Sequence, residues 1–192
     1  MSENEVAVVE LPKLDFGKAI KDSVAILKEN PVLLIVVGLI STFVSGAAFG
    51  LLSGPMFMGM FAICDRLVTG DAQKPQIGDV FQGFSFFVPG LVLSLFSGVG
   101  AFACGLGVLV TGPIAAIAMM RVLEKGDSIG DAIKFGFDLI FKRKQFMLIV
   151  LFLVAGVLAQ LGLVLCFVGI YLTLPLAFLV PVCAYRQLFP KS

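Results

Sequence analysis

The chain has 192 residues, 59% of them hydrophobic and only 14% charged, with a mean hydropathy of +1.05 and a net charge of +1. That much apolar surface cannot be hidden inside one water-soluble domain of this size, where about a quarter of residues are normally charged. The near-zero net charge gives no basis for binding nucleic acid, and the absence of histidine removes the commonest metal ligand and general base.

Residues 1–12 are polar and acidic, end at Pro12, and are expected to form a mobile tail ahead of a single domain, 13–192. Glu3, Glu5, Glu10 and Asp15 mixed with lysines argue against a cleavable leader. Phe16, Ile20, Val24 and Leu27 then recur at helical spacing and predict a short amphipathic helix, with Asn30-Pro31 marking entry to the next element.

Three runs contain no Asp, Glu, Lys or Arg: 31–64, 80–120 and 145–185. Each is too long for one membrane span of about 20 residues and fits two joined by a tight turn. Turn residues stand near the middle of each run: Gly50 to Pro55, Gly105-Leu106-Gly107, and Cys166 to Gly169. The predicted spans are about 31–50, 53–69, 87–104, 107–123, 145–165 and 168–186, with a re-entrant hairpin as the alternative for 31–69. Two further amphipathic stretches precede the second and third pairs. One carries Ile77, Val80, Phe81 and Phe84. The other carries Ile129, Ile133, Phe137, Ile140 and Phe141, opposite Asp131, Lys134, Asp138 and Lys142. Such helices are expected to lie in the plane of the interface.

All 14 lysines and arginines fall in 13–28, 66–74, 121–144 and 186–191. With six spans these segments share one side, which the positive-inside rule makes the cytoplasmic face of a bacterial inner membrane, with both termini there.

The chain also repeats itself. Phe16-Gly17-Lys18-Ala19-Ile20, Ile77-Gly78-Asp79-Val80-Phe81 and Ile129-Gly130-Asp131-Ala132-Ile133 each precede a hairpin. The second helices share Ser53-Gly54-Pro55, Thr111-Gly112-Pro113 and Thr173-Leu174-Pro175, and end near Arg66, Arg121 and Arg186. The first two then run to Gly70-Asp71 and Gly126-Asp127. Repeats of this kind define units of about 13–71, 75–127 and 128–190. The fold class is therefore all-α, a polytopic bundle of three units, each an amphipathic helix plus a helical hairpin.

Arg66, Arg121 and Arg186 read as anchors that snorkel to the interface, or as a ring that binds an anionic headgroup or a partner carboxylate. Asp65 and Glu124 beside them offer local pairing instead. Lys142-Arg143-Lys144 is expected to set orientation and touch anionic lipid. Pro55, Pro113 and Pro175 mark kinks that line a cavity or simple first-turn prolines, and Gln160 is the strongly polar residue inside a span. Small residues at four-residue spacing (Gly46, Gly50, Gly54; Ser94, Gly98; Ala155, Ala159) predict close helix approach. Cys104 and Cys166 fall near two turns where a disulfide is conceivable, while the four cysteines otherwise read as small apolar residues. No catalytic motif, metal site or cofactor site is expected.

The lead-ins at 16–20, 77–81 and 129–133, Asn30-Pro31 and the Gly-Pro…Arg second helices resemble bacterial multi-pass proteins related to the membrane domain attached to some glycerophosphodiester phosphodiesterases. The resemblance covers about 14–190, and the chain lacks any phosphodiesterase catalytic domain, so it implies no enzymatic role. The expected function is a non-enzymatic membrane scaffold, assembly or accessory subunit organising lipid or a partner membrane protein, or a homo-oligomer. The alternative is a transporter or channel for a neutral or lipidic substrate.

Overall fold

The computed structural model describes residues 14–48, 50–102, 107–143, 145–164 and 168–190, and they are entirely helical or connecting. The tail at 1–12, Lys144, Cys104, Cys166 and the side chain of Gln160 lie outside the described residues. The helices are α1 (Phe16–Glu29), α2 (Pro31–Ala47), α3 (Ser53–Thr69), a 3₁₀ helix η1 (Ile77–Phe86), α4 (Phe87–Phe102), α5 (Val108–Lys125), α6 (Ile129–Phe137), α7 (Met147–Val164) and α8 (Val168–Leu188). A π turn, Asp138–Lys142, extends α6.

Local chemistry fixes the helix ends. The Asp15 carboxylate accepts from Lys18 N–H, and the Ser128 hydroxyl accepts from Asp131 N–H. Gln76 and Asp79 form a reciprocal capping box on η1. These three caps occupy the same place in the three units. At the other ends, Gly70 and Gly126 both take φ +66°, the left-handed conformation that closes a helix and that glycine adopts without strain.

Packing follows a cyclic rule. The second long helices α3, α5 and α8 meet one another at the centre. Each first long helix bridges two of them: α2 lies on α8 and α3, α4 on α3 and α5, and α7 on α5 and α8. Each lead-in packs on the second helix of the preceding unit, so η1 lies on α3, α6 on α5, and α1 closes the circle on α8. The buried core is accordingly concentrated on the central helices, from Met56 to Cys64, Ile114 to Met120 and Phe178 to Tyr185. The outer helices expose apolar side chains at helical spacing: Val32, Leu39 and Phe43; Val88, Val92, Leu95 and Val99; Met147, Val150, Leu153 and Val157.

Two expectations need correction. First, the lead-in at 77–84 is not a separate in-plane helix: η1 continues into α4 as one helix, Ile77–Val99. It runs antiparallel to α3, with Gly90 against Gly54, Gly83 and Val80 against Gly59, and Asp79 against Arg66. By length and apolar composition this is the one described helix long enough to cross a membrane; a second counts only if α1 and α2, bent by 95° at Asn30-Pro31, form one span. Second, the small-residue stripes do not all mark close approach. A side chain on Gly46, Gly50, Gly98 or Gly156 would meet nothing within 4 Å. Of the predicted stripes Gly54 makes close contact, and so do Gly59, Gly83 and Gly90 outside them; at each an added Cβ would overlap the facing backbone.

The buried pair of each lead-in differs in spacing by one residue, and helix type absorbs the difference. Val80 and Gly83 are buried in η1, whereas Ala132 and Gly136 are buried in α6 and Ala19 and Ser23 in α1. A 3₁₀ helix turns about 120° per residue and an α-helix about 100°, so spacings of three and four respectively return to one face.

Candidate functional site

Arg66 is set by the turn after α3. Its Nη1 donates to Asp79 Oδ2 at 2.9 Å and its Nη2 to the Gln73 carbonyl at 3.0 Å, while Asp71 lies 3.5 Å from Nε. Arg121 is set the same way by the turn after α5. Its Nε and Nη2 reach Asp127 Oδ2 at 2.8 and 2.6 Å, and its guanidinium lies 4.2 Å from the centre of the Phe135 ring. In both units the aspartate of the Gly-Asp pair lies within ion-pair range, and Arg66 has a closer partner in Asp79 of η1.

Where the other units carry Gly-Asp four to six residues on, Arg186 is followed by Pro190, Lys191 and Ser192. Position 18 of its packing partner α1 is also lysine, where η1 has Asp79 and α6 has Asp131. The side chain therefore turns into the bundle. It binds Asp65 of α3 side-on, Nε to Oδ1 at 2.5 Å and Nη2 to Oδ2 at 2.9 Å. Its Nη1 donates to Glu124 Oε1 of α5 at 2.9 Å, and Tyr185 donates its phenolic hydrogen to Glu124 Oε2 at 2.9 Å. The Arg186 side chain is 6% exposed, against 14% for Asp65 and 20% for Glu124. Asp65 and Glu124 thus join the third arginine rather than their sequence neighbours Arg66 and Arg121. One guanidinium links the charged ends of all three central helices. Partial burial opposes the charge of Glu124, but hydrogen bonds from Arg186 and Tyr185 outweigh it and hold this carboxyl, at the outer end of α5, below its ordinary range.

Lys142 pairs with Asp138 at 2.9 Å and is 72% exposed. Near it Phe137, Phe141 and Phe146 form an exposed aromatic run, with Phe137 and Phe141 ring centres 4.5 Å apart. Arg143 is half-buried. On the same end, a groove of about 670 Å³ is lined by α1, α3 and α8, with Asp15, Lys18, Asp22, Arg186 and Gln187 along it. The two junctions closed by Gly59–Val80 and Gly136–Ile114 are tight by comparison.

The uncharged half holds a different feature. A cleft of about 380 Å³ opens among the central helices, walled by Phe57, Phe61, Met119, Phe152 and Phe178, with Ser53, Ser94 and Ser97 on its margin. Phe178 sits 5.3 Å from Phe57 and 5.1 Å from Phe61, ring centre to ring centre, and closes its floor. Pro55, Pro113 and Pro175 are buried beside it but are not among its walls. Sequence reasoning missed the cleft, because its lining is ordinary apolar sequence. The Arg186 link did leave a signal: the third unit lacks the Gly-Asp turn, and the lead-in that packs on its second helix, α1, carries Lys18 in place of aspartate.

Among the described residues, no group of three or more His, Cys, Asp or Glu is placed to hold a metal ion. No family model, curated protein or solved structure matches the chain, so its functional reading rests on the geometry of these two ends.

Proposed function

We propose that the protein is an integral membrane protein whose six long helices cross the bilayer, with both chain ends on the cytoplasmic side. There it acts as a non-enzymatic scaffold or accessory subunit. The observation that carries this reading is the outer surface of α2, α4 and α7. From Val32 to Phe43, Val88 to Val99 and Met147 to Val157, apolar side chains face outward with no charge among them. Such a surface in water would favour aggregation; in hydrocarbon it is the expected lining. The charges gather at one end, as the positive-inside rule requires. Exposed Phe137, Phe141 and Phe146 beside Lys142 and Arg143 suit an interface with anionic headgroups.

Tyr185 and Arg186 are buried, and their polar groups are taken up in joining α3, α5 and α8 through Asp65 and Glu124, although Arg186 borders the groove beside α1. This favours a static role over catalysis. The second reading, a carrier for a neutral or lipidic molecule, draws on the cleft. Against it, the floor of Phe57, Phe61 and Phe178 is followed toward the charged end by the packed side chains of Cys64, Met120 and Tyr185.

Topology is tested with single cysteines in a background lacking the four native ones. Ala72→Cys should react only from the cytoplasmic side and Leu51→Cys only from the opposite side. Reaction of both from one side would overturn the six-span arrangement. For the scaffold role, mild-detergent purification should recover a stoichiometric partner or a defined homo-oligomer; a monomer without a partner would count against it.

A further inference from the structure

We propose that the central cleft holds one acyl chain of a bilayer phospholipid. The inference rests on the membrane reading above and deepens it by naming what the bundle binds. The cleft lies between the middle of the bundle and its uncharged end, bounded by Phe57 and Phe61 of α3, Met119 of α5, Phe152 of α7 and Phe178 of α8. Its volume of about 380 Å³ falls within the range of about 300–1,000 Å³ typical of small-ligand sites. None of its walls carries a charge.

Three observations select the occupant. A Cβ built on Gly98, at the cleft margin, meets no atom of the described residues within 4 Å, so these residues leave the space beside it open. An apolar void of this size costs packing energy unless something fills it, and the solvent available in the membrane interior is hydrocarbon. The polar margin is limited to serines, of which Ser53 donates to the Gly50 carbonyl at 2.6 Å and Ser94 to the Leu91 carbonyl at 2.9 Å. No lysine or arginine stands among the residues of this margin, so a free fatty-acid carboxylate would find no counter-charge there. A chain whose own headgroup remains at the interface has no such cost.

The test uses the full-length protein in phosphatidylcholine vesicles containing a trace of phosphatidylcholine with a photoactivatable diazirine on one acyl chain. Labelled peptides are mapped by mass spectrometry. Labelling is expected at Phe57, Phe61, Met119 and Phe178, as well as on the outer residues Phe43 and Leu95. In Gly98→Leu, whose added side chain occupies the cleft, cleft labelling should fall about tenfold while outer labelling is unchanged. Ser97→Leu, on the same margin, should do the same, so that misfolding of one variant does not decide the matter. Unchanged outer labelling serves as the internal sign that each variant is folded. Outer labelling without cleft labelling in the wild type would overturn the inference and leave the membrane reading intact. Absence of both would overturn the two together. Cleft labelling by a diazirine-bearing free fatty acid in preference to the phospholipid would overturn the assigned occupant.

Discussion

At the charged end, Arg186 binds Asp65 and Glu124, and directional contacts draw α3, α5 and α8 together; in the opposite half the same helices, with α4 and α7, line an apolar cleft. That second region carries no charged side chains, so packing there depends mainly on shape, and shape leaves a cleft. Ion pairs fix position at one end, while apolar contacts leave room at the other. The two ends should therefore respond oppositely to substitution.

The largest effect is expected where backbones touch. Gly59→Leu, which places side-chain atoms on the Val80 carbonyl, should destabilise by more than about 3 kcal/mol in a thermal unfolding assay, since the facing groups are backbone and cannot rotate away. Next comes the arginine link. Arg186→Ala leaves two carboxylates without their partner and should cost about 3–5 kcal/mol. Neutralising both, in the triple variant Arg186→Met, Asp65→Asn, Glu124→Gln, should recover much of that loss, and failure to do so would mean that the link acts through packing. Arg66→Ala, whose pairs with Asp71 and Asp79 are partly exposed, should cost only about 1 kcal/mol. Stability should also depend on pH through Glu124. Its carboxyl is depressed in the folded state, so its contribution is complete above the ordinary value of 4.5 and is lost as pH falls through the lower folded-state value. Glu124→Gln should remove this part of the acid dependence. At the cleft end, Gly98→Ala should be neutral or stabilise by up to about 1 kcal/mol, because the added methyl meets open space and favours helix. A cost as large as that of Arg186→Ala would erase the contrast between the ends.

Much of the architecture was legible from hydropathy and repeats. The charge-free runs and their mid-run glycines located α2 to α5, α7 and α8, because helix boundaries there follow local chemistry such as Asn30-Pro31, Gly70 and Gly126. The cyclic packing was not legible, because it depends on which surfaces meet across long separations. Nothing local to Arg186 points to Asp65, which lies 121 residues away. The continuity of η1 with α4 was hidden for a related reason. An amphipathic stretch reads as interfacial until Gly59 and Gly83 are seen to let the backbone at Val80 lie directly against α3, while Ile77, Phe81 and Phe84 stay exposed. The cleft depends on side chains that are merely too small where the helices diverge, and no residue type announces that.

The closing contact of α1 on α8 has a consequence for synthesis. As the chain leaves the ribosome, η1 and α6 emerge directly after the helices they cover, and each has its partner at once. The helix α1 emerges first, yet its partner α8 comes last. Until Arg186 has been translated, Asp65 and Glu124 also lack the cation that joins them. The nascent protein should therefore pass through a stage with two finished seams and one open, exposed to quality-control proteases until its last helix arrives.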